Sequence, residues 1–497
     1  NNNSNGDEDR NLQHACGKEH CYGRMFNLRP FDMETSELVK IGVSDYMDDI
    51  DRFFDPIPMN IRGAAAPAGY TYLGQLVAHD LSMDVTSVLG NTQDPNTVPN
   101  FVTPFLDLDT IYGVNGATAP MDGPFFRLEG RDFSRQGNGQ PQVADGRNDN
   151  HRILSQLTVA FMKLHNKFAQ IQLDEHGDDG RAFDAAKRET IQTYQSVVLT
   201  DMLPKYIDNG VYDIALNSRN HVLYTGDIKN RAAIPAEFAA CAFRVAHSRS
   251  RATYRVNGRL SGTFGRPVAA LFSVEGFRQI ELIGGSPLPS DMEVQWSRFF
   301  FDFPIPGFTN SARINDMRYA APLLHAPFGK AAIQCNENDA KCTGECGEHR
   351  CVIVDGETIE GRATLSLALI DLTRGQTMGM PGGIALARHV RESTGTPLQV
   401  LSVDQMKSDG FGLPENYNRD DVPLLLYLAH ESVIEHQGTV LGFLGSLIVG
   451  ETIIGLVDRD HNGILHEGNW HFHSRITNSH EVSMRDVLNY IGWVGMF

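Results

Sequence analysis

The sequence has no stretch of about 20 apolar residues free of charge, the length a helix needs to cross a bilayer. The nearest approach, residues 439–457, is broken by Glu451 and by glycines and reads as a buried C-terminal helix, so no membrane span is expected. Basic residues are in deficit, with 43 Lys and Arg against 61 Asp and Glu, and the formal net charge of -18 repels polyanions. Nucleic acid is therefore excluded as an expected partner, while neutral and cationic small molecules approach freely. The opening residues Asn1 to Gly6 are polar and lack the apolar core of a secretory leader, and residues 1–22 read as a polar N-terminal extension. If the chain is a mature product, a leader has already gone. Cysteine is sparse, seven in all, but six fall into two local groups, Cys16 with Cys21 and then Cys335, Cys342, Cys346 and Cys351 in a Gly- and acid-rich surface loop. Short pairs in polar loops suit disulfide staples of a secreted or otherwise extracytoplasmic protein. Four cysteines allow three pairings, and the sequence does not choose among them. The loop also lacks the two-residue spacings common in zinc sites. No internal repeat and no phosphate-cradling glycine loop is present.

What the chain does have is helical periodicity, with turns rich in Gly, Pro, Asn and Asp between segments. Leu154, Leu157, Phe161, Leu164 and Phe168 recur at three- and four-residue spacing and predict a helix over 153–172 with one buried stripe. Further helices are expected over 185–203, 232–248, 364–372 and 422–449, and strand signals are short, as in Val352-Ile353-Val354. Within apolar sequence, Gln75 and His79 stand one helical turn apart and project from one face. An amide and an imidazole buried together need polar partners, either a small polar ligand or the hydrogen bonds of an ordinary core histidine. Thr103, Asp107 and Asp109 place oxygens at near-alternate positions, and with the Phe105 carbonyl and Asp80 they form a candidate calcium shell. A solvated acidic turn is the alternative. Arg147 precedes a long helix and could steady a developing anion, and His247 in an apolar helical turn is a natural metal ligand. Each also has a purely structural reading.

Taken in this order, these pieces resemble the animal-type haem peroxidases of the peroxidase-cyclooxygenase superfamily, in their microbial branch. Supporting strings are Gly23-Arg24-Met25-Phe26, Ala68-Gly69-Tyr70-Thr71-Tyr72-Leu73-Gly74-Gln75, Leu164-His165-Asn166-Lys167 and Leu372-Thr373-Arg374-Gly375. The resemblance implies a mainly α fold, that of the haem-dependent peroxidases, with few short strands. It implies one haem peroxidase domain over 23–497 that carries the 335–351 Cys-rich loop. It also implies haem b, a calcium ion, hydrogen peroxide and a small organic or (pseudo)halide electron donor. His79 would be the distal acid-base group, Gln75 would orient peroxide and Arg147 would stabilise charge. His247 would be the proximal iron ligand and Asp371 its hydrogen-bond partner, where relatives carry asparagine. Arg244 and Arg374 would contact haem propionates.

Three departures limit the transfer. Most relatives have an aspartate before the distal histidine and a glutamate after the catalytic arginine, each esterified to a haem methyl. Here Ala78 and Asn150 occupy those places, and His151 stands where some members carry a methionine for a third bond. Non-covalent haem and poor chloride oxidation follow as expectations. Fatty-acid dioxygenases of the superfamily place a radical tyrosine three residues before the proximal histidine, where this chain has Arg244. That favours a peroxidase, and the four residues Gln75, His79, Arg147 and His247 together exceed what a calcium-stabilised, non-catalytic binding relative would need. Asp458 to Leu465 begins like a second calcium loop but has Asn469 where a bidentate glutamate is expected, so an ordinary Asp/Asn/Gly turn is the alternative.

Overall fold

The computed structural model describes the chain from residue 20 onward, apart from residues 35–36, 39–40, 42–65, 88, 90, 115–118, 219–220, 251–252, 259–268, 271–281, 302–309, 313–351, 355–356, 360–366, 409–412, 414–415, 467–468 and 495–497. The Cys335 to Cys351 loop and all but the end of the polar N-terminal extension lie outside the described residues. The fold is mainly helical, and strands occur only as two-stranded antiparallel ribbons among the described residues. Eight helices carry the frame: α1 (Gly69–Leu81), α2 (Arg152–His176), α3 (Asp179–Ser196), α4 (Leu367–Thr377), α5 (Gly383–Thr394), α6 (Leu424–His436), α7 (Phe443–Arg459) and α8 (Met484–Tyr490). Their apolar faces join one core that runs from Tyr22 to Trp493.

Helix α2 follows its sequence signals closely. His151 caps its start by accepting the Leu154 N–H at 3.3 Å, and Gly177 ends it at φ +64. The expected stripe is buried throughout, each of its five residues no more than 1% exposed. Helix α1 depends on a close approach instead. Tyr206 Oη donates to the Tyr70 carbonyl at 2.8 Å, and a Cβ on Gly74 would lie 2.1 Å from that hydroxyl. Only glycine lets the tyrosine cross here, which sets the depth of the helix that carries Gln75 and His79.

Two expected helices differ from their sequence reading. The 232–248 segment forms a wide π turn over Glu237–Cys241 followed by tight 3-10 turns over Ala242–Arg249, a change of pitch that apolar spacing does not encode. Residues 422–449 form two helices rather than one. Gln437 and Gly438 take left-handed φ values of 54 and 75, ending α6. The next start is then capped by carboxylates of α6 itself. Glu431 accepts from the Leu444 and Gly445 N–H groups at 3.0 and 3.1 Å, and Glu435 from Phe443 at 2.8 Å. Apolar residues continue across the corner, so hydrophobicity alone hides the break.

Burial, and next the nearby Glu435, push the Glu431 carboxyl up to about 8. The folded chain thus keeps a proton there that the unfolded chain gives up near its ordinary value of 4.5. With more protons bound in the folded state, this group's contribution to stability falls as pH rises from that ordinary value to about 8. Urea titrations across this window should show a shallower loss of stability for Glu431→Gln than for the native chain.

Candidate active site

Helix α1 delivers His79 to a nearly closed interior, where its side chain is 8% exposed. Its Nδ1 lies 2.7 Å from Asn148 Oδ1, and because an amide oxygen only accepts, the ring proton sits on Nδ1. Nε2 is left bare, with no hydrogen bond among the described residues. Burial, then the charge of Arg147, lower the imidazole to about 4, with a further push from His247. The charge of His247 thus reaches His79 across the site. Gln75, one turn earlier on the same face, is held by a second histidine, with His151 Nε2 2.8 Å from its Oε1.

His247 projects from the 3-10 segment with its side chain 37% open, and its Nδ1 lies 2.7 Å from Asp371 Oδ2. Asp371 itself is wholly buried on α4, and its other oxygen accepts from Arg244 Nη1 at 2.9 Å. Burial alone would raise this carboxyl, but His247 and Arg244 outweigh it and hold it below its usual range. Arg244 also donates to the Ala239 carbonyl at 2.8 Å, which spans the π turn. Arg374, one turn along α4 from Asp371, donates to Asp84 at 2.9 Å and to Ser87 Oγ, while its buried Nε has no partner.

Arg147 is clamped more tightly than its sequence context suggests. Its Nε and Nη2 grip Asp145, at 2.9 and 2.6 Å, and its Nη1 and Nη2 reach the carbonyls of Ser82 and His79 at 3.0 and 2.9 Å. Of five N–H bonds, one on Nη1 remains. The turn that carries Arg147 and Asn148, Gly146–Asp149, is anchored by a buried ion group. Arg135, its side chain 4% exposed, binds Asp132 and Asp149 through bonds of 2.8 Å, and Asp149 also accepts from the Gly285 N–H at 2.9 Å.

The acidic turn assembles beside α1. Asp80 Oδ2 accepts from the Leu108 N–H at 3.0 Å, Thr103 Oγ1 donates to Asp107 Oδ2 at 2.7 Å, and the Thr103 N–H donates to Asp109 Oδ2 at 2.9 Å. Burial, then Asp107 and Asp109, drive the Asp80 carboxyl well above its usual range, and Asp107 rises to about 7 for like reasons. Asp80 Oδ1 and Asp107 Oδ1 are buried without hydrogen bonds, and the Phe105 carbonyl lies on the same turn. Among the described residues no three His, Cys, Asp or Glu side chains are drawn together tightly enough to form a closed metal cage. In the Asp458 to Gly463 turn, Asp460 accepts from the Asn462 and Gly463 N–H groups and from Gln195, and Asp458 lies 4.0 Å from Lys229.

Asn148, His151 and Tyr22 were not singled out as site residues by sequence reasoning. Asn148 sits beside Arg147 and carries no periodic signal. Tyr22 is buried, and its hydroxyl responds to burial first, then to Asp84, against Arg244, Arg374 and Arg147. The charges of Arg244, Arg374 and Arg147 all act on this one buried hydroxyl.

Residues 124–272 match the family model of the animal haem peroxidases. The match covers less than a third of the chain, which is similar to that family over this segment. The matched segment contains Arg147, Asn148, His151, Arg244 and His247, and so most of the geometry above. Heme peroxidase 2 of Caenorhabditis elegans is 29% identical over 127 residues, which are 24% of this chain and 18% of that protein. The chain thus aligns with only a small part of the curated relative. Peroxidase A of Dictyostelium discoideum superposes with a TM-score of 0.58 at 14% identity, covering 96% of this chain and 94% of the other. A fatty acid alpha-dioxygenase of Oryza sativa gives 0.50 at 13% identity, covering 91% and 84%. At such identities these two likenesses establish the peroxidase-like fold alone.

The haem that the family implies fits the residues present. His247 offers a bare Nε2 on an open ring face, and the Arg374 Nε is a buried donor awaiting an acceptor such as a carboxylate. The Arg135 ion group is the element whose loss the site should tolerate least. Arg135→Ala strands two buried carboxylates and should cost about 3–5 kcal/mol in chemical denaturation. A cost under about 1 kcal/mol would mean that the turn is held by its backbone instead.

Proposed function

We propose that this chain is a haem peroxidase that reduces hydrogen peroxide and oxidises a small organic or (pseudo)halide donor. The observation that carries the reading is the pair of imidazoles, His79 and His247, each with Nδ1 tied to a buried acceptor and Nε2 without a hydrogen bond among the described residues. Bound haem would supply the iron at which the oxygen-oxygen bond of peroxide is broken and the oxidising equivalents are held. His247 Nε2 would ligate that iron, and the Asp371 carboxylate would enrich the imidazole's electron density. Arg244 and Arg374 would meet the propionates, Arg244 while keeping its bond to Asp371.

His79 Nε2 would take a proton from one peroxide oxygen and return it to the other, so that water leaves. The remaining Nη1 hydrogen of Arg147 would meet the charge that builds on the departing oxygen. Haem b would be held without covalent links, because Ala78 and Asn150 offer no carboxylate for an ester. The dioxygenase reading has no comparable support, since the position of its radical tyrosine is Arg244. A secreted setting with local disulfides, Cys16 with Cys21 among them, completes the proposal.

A calcium ion bound by Asp80, Thr103, Phe105, Asp107 and Asp109 belongs to the same reading. Its support is the mutual repulsion of the buried carboxylates and their two unpartnered oxygens, which an oxygen-seeking cation would relieve.

An optical spectrum before and after acid-butanone extraction tests the cofactor: a Soret band that leaves with the solvent is expected, and haem retained in the protein layer would refute the unlinked form. His79→Ala should lower the second-order rate with peroxide by about 100- to 10,000-fold while the Soret band remains. Adding calcium to EGTA-treated protein should raise Tm, with about 2.7 kcal/mol of stabilisation at a hundredfold excess over Kd. An unchanged Tm would remove the ion from the account.

A further inference from the structure

One short segment, residues 148–151, reaches both polar groups that α1 presents to the site. Asn148 is wholly buried and His151 is 2% exposed. The Leu154 N–H, 3.3 Å from His151 Nδ1, can only donate, so Nδ1 keeps its lone pair and the ring proton lies on Nε2. That proton is given to Gln75 Oε1 at 2.8 Å. With its oxygen taken, the Gln75 amide turns its nitrogen end away from His151, and among the described residues Nε2 donates to no protein acceptor. The ring of His151 is also fixed in orientation. It meets Tyr72 edge-on at 4.9 Å, and its backbone bridges to Ile283. Burial keeps the ring neutral, lowering it to about 3, so the donor role is its ordinary state.

We propose that Asn148 and His151 are positioning residues that set the polarity of the distal site, leaving a bare base at His79 Nε2 beside an N–H donor at Gln75. This deepens the peroxidase reading and rests on it. A site of that polarity suits a ligand that surrenders a proton at one atom and accepts a hydrogen bond at its neighbour, which is the pattern of a hydroperoxide. A halide ion has no proton to give and would engage the donor alone. The two positioning roles act through different partners, Asn148 through His79 and His151 through Gln75.

Double-mutant cycles in the full-length, haem-loaded protein separate this from a merely structural role. His151→Asn keeps a good helix cap but is too short to reach Gln75, so Tm should stay near the native value. The rate with peroxide should fall by about 10- to 100-fold, with the rate of donor oxidation unchanged. In a Gln75→Ala background the same change should have no further effect, and Asn148→Ala should likewise add nothing to His79→Ala. Asn148→Asp, which keeps an acceptor, should restore most of what Asn148→Ala loses. Multiplicative losses in either cycle would overturn the proposal. Nitrogen NMR of histidine-labelled protein in a diamagnetic state reads the tautomers directly. A proton on His79 Nδ1 and on His151 Nε2 is expected, and the opposite assignment at either ring overturns the proposal whatever the kinetics. A native protein that binds haem but shows no spectral response to peroxide would instead sink the functional reading, with the tautomers still deciding the positioning.

Discussion

Both site imidazoles are fixed at Nδ1 by buried acceptors from distant parts of the chain, 69 residues away for His79 and 124 for His247. Everything chemical in the site depends on that constraint, because an imidazole free to exchange tautomers would present a proton where a lone pair is needed about as often as not. The two acceptors differ in kind. A neutral amide fixes His79 without adding charge, so the ring remains a weak base shielded by burial. A carboxylate holds His247, and the negative charge enriches the ring that would face the iron. In the proposed reading the same side chain would serve two opposite roles, and the distinction lies in the partner rather than in the histidine.

Holding Asn148 in place falls to a group of charges that never touch the site. Arg135 closes on both oxygens of Asp132 and of Asp149, and the Gly285 and Leu288 N–H groups donate to the Oδ2 atoms of Asp149 and Asp132 that it already holds. Buried ion pairs return little net stability over an apolar replacement, because desolvation offsets most of the attraction. Their value here is directional. A charged fork with every oxygen assigned allows one arrangement of the turn, and that turn carries Arg147 and Asn148 and leads into His151. The clamping of Arg147 by Asp145 works the same way, since only one of its N–H bonds is left to point elsewhere.

The helices and the four chemistry-bearing residues of α1, the Gly146–Asp149 turn and the proximal segment could be read from the chain, because local periodicity and residue type carry them. Leu154 to Phe168 announce α2 through spacing alone. His79, Arg147 and His247 stand out through their chemistry in apolar or turn sequence. What escaped was relational. Nothing local says that Asn148 rather than Asp149 faces His79, since that depends on which side of the turn the Arg135 fork seizes. The break between α6 and α7 was hidden because its caps are supplied by Glu431 and Glu435 from inside the preceding helix. The π turn before His247 was missed for a related reason, as a change of pitch leaves the apolar residues in place while rotating those that follow.

The acidic turn shows how the two halves of the site's electrostatics meet on one helix. Asp80 follows His79 directly, so the position of the base is tied to whatever holds Asp80. In the structure Asp80 grips the N–H of Leu108, a non-glycine residue at φ 59, a conformation that costs a leucine about 1–2 kcal/mol. The strained turn and the buried carboxylate therefore support each other, the turn by supplying a donor and the carboxylate by repaying the strain. Yet the arrangement is electrostatically incomplete, because burial and the neighbouring carboxylates raise Asp80 and Asp107, and one oxygen of each is left unpartnered. A cation would complete it, and protonation would complete it less well, since a protonated acid gives up half of its capacity to accept. The end of α1, and with it the position of His79, is thus tied to charge balance at a turn 28 residues further along the chain, where Leu108 meets Asp80.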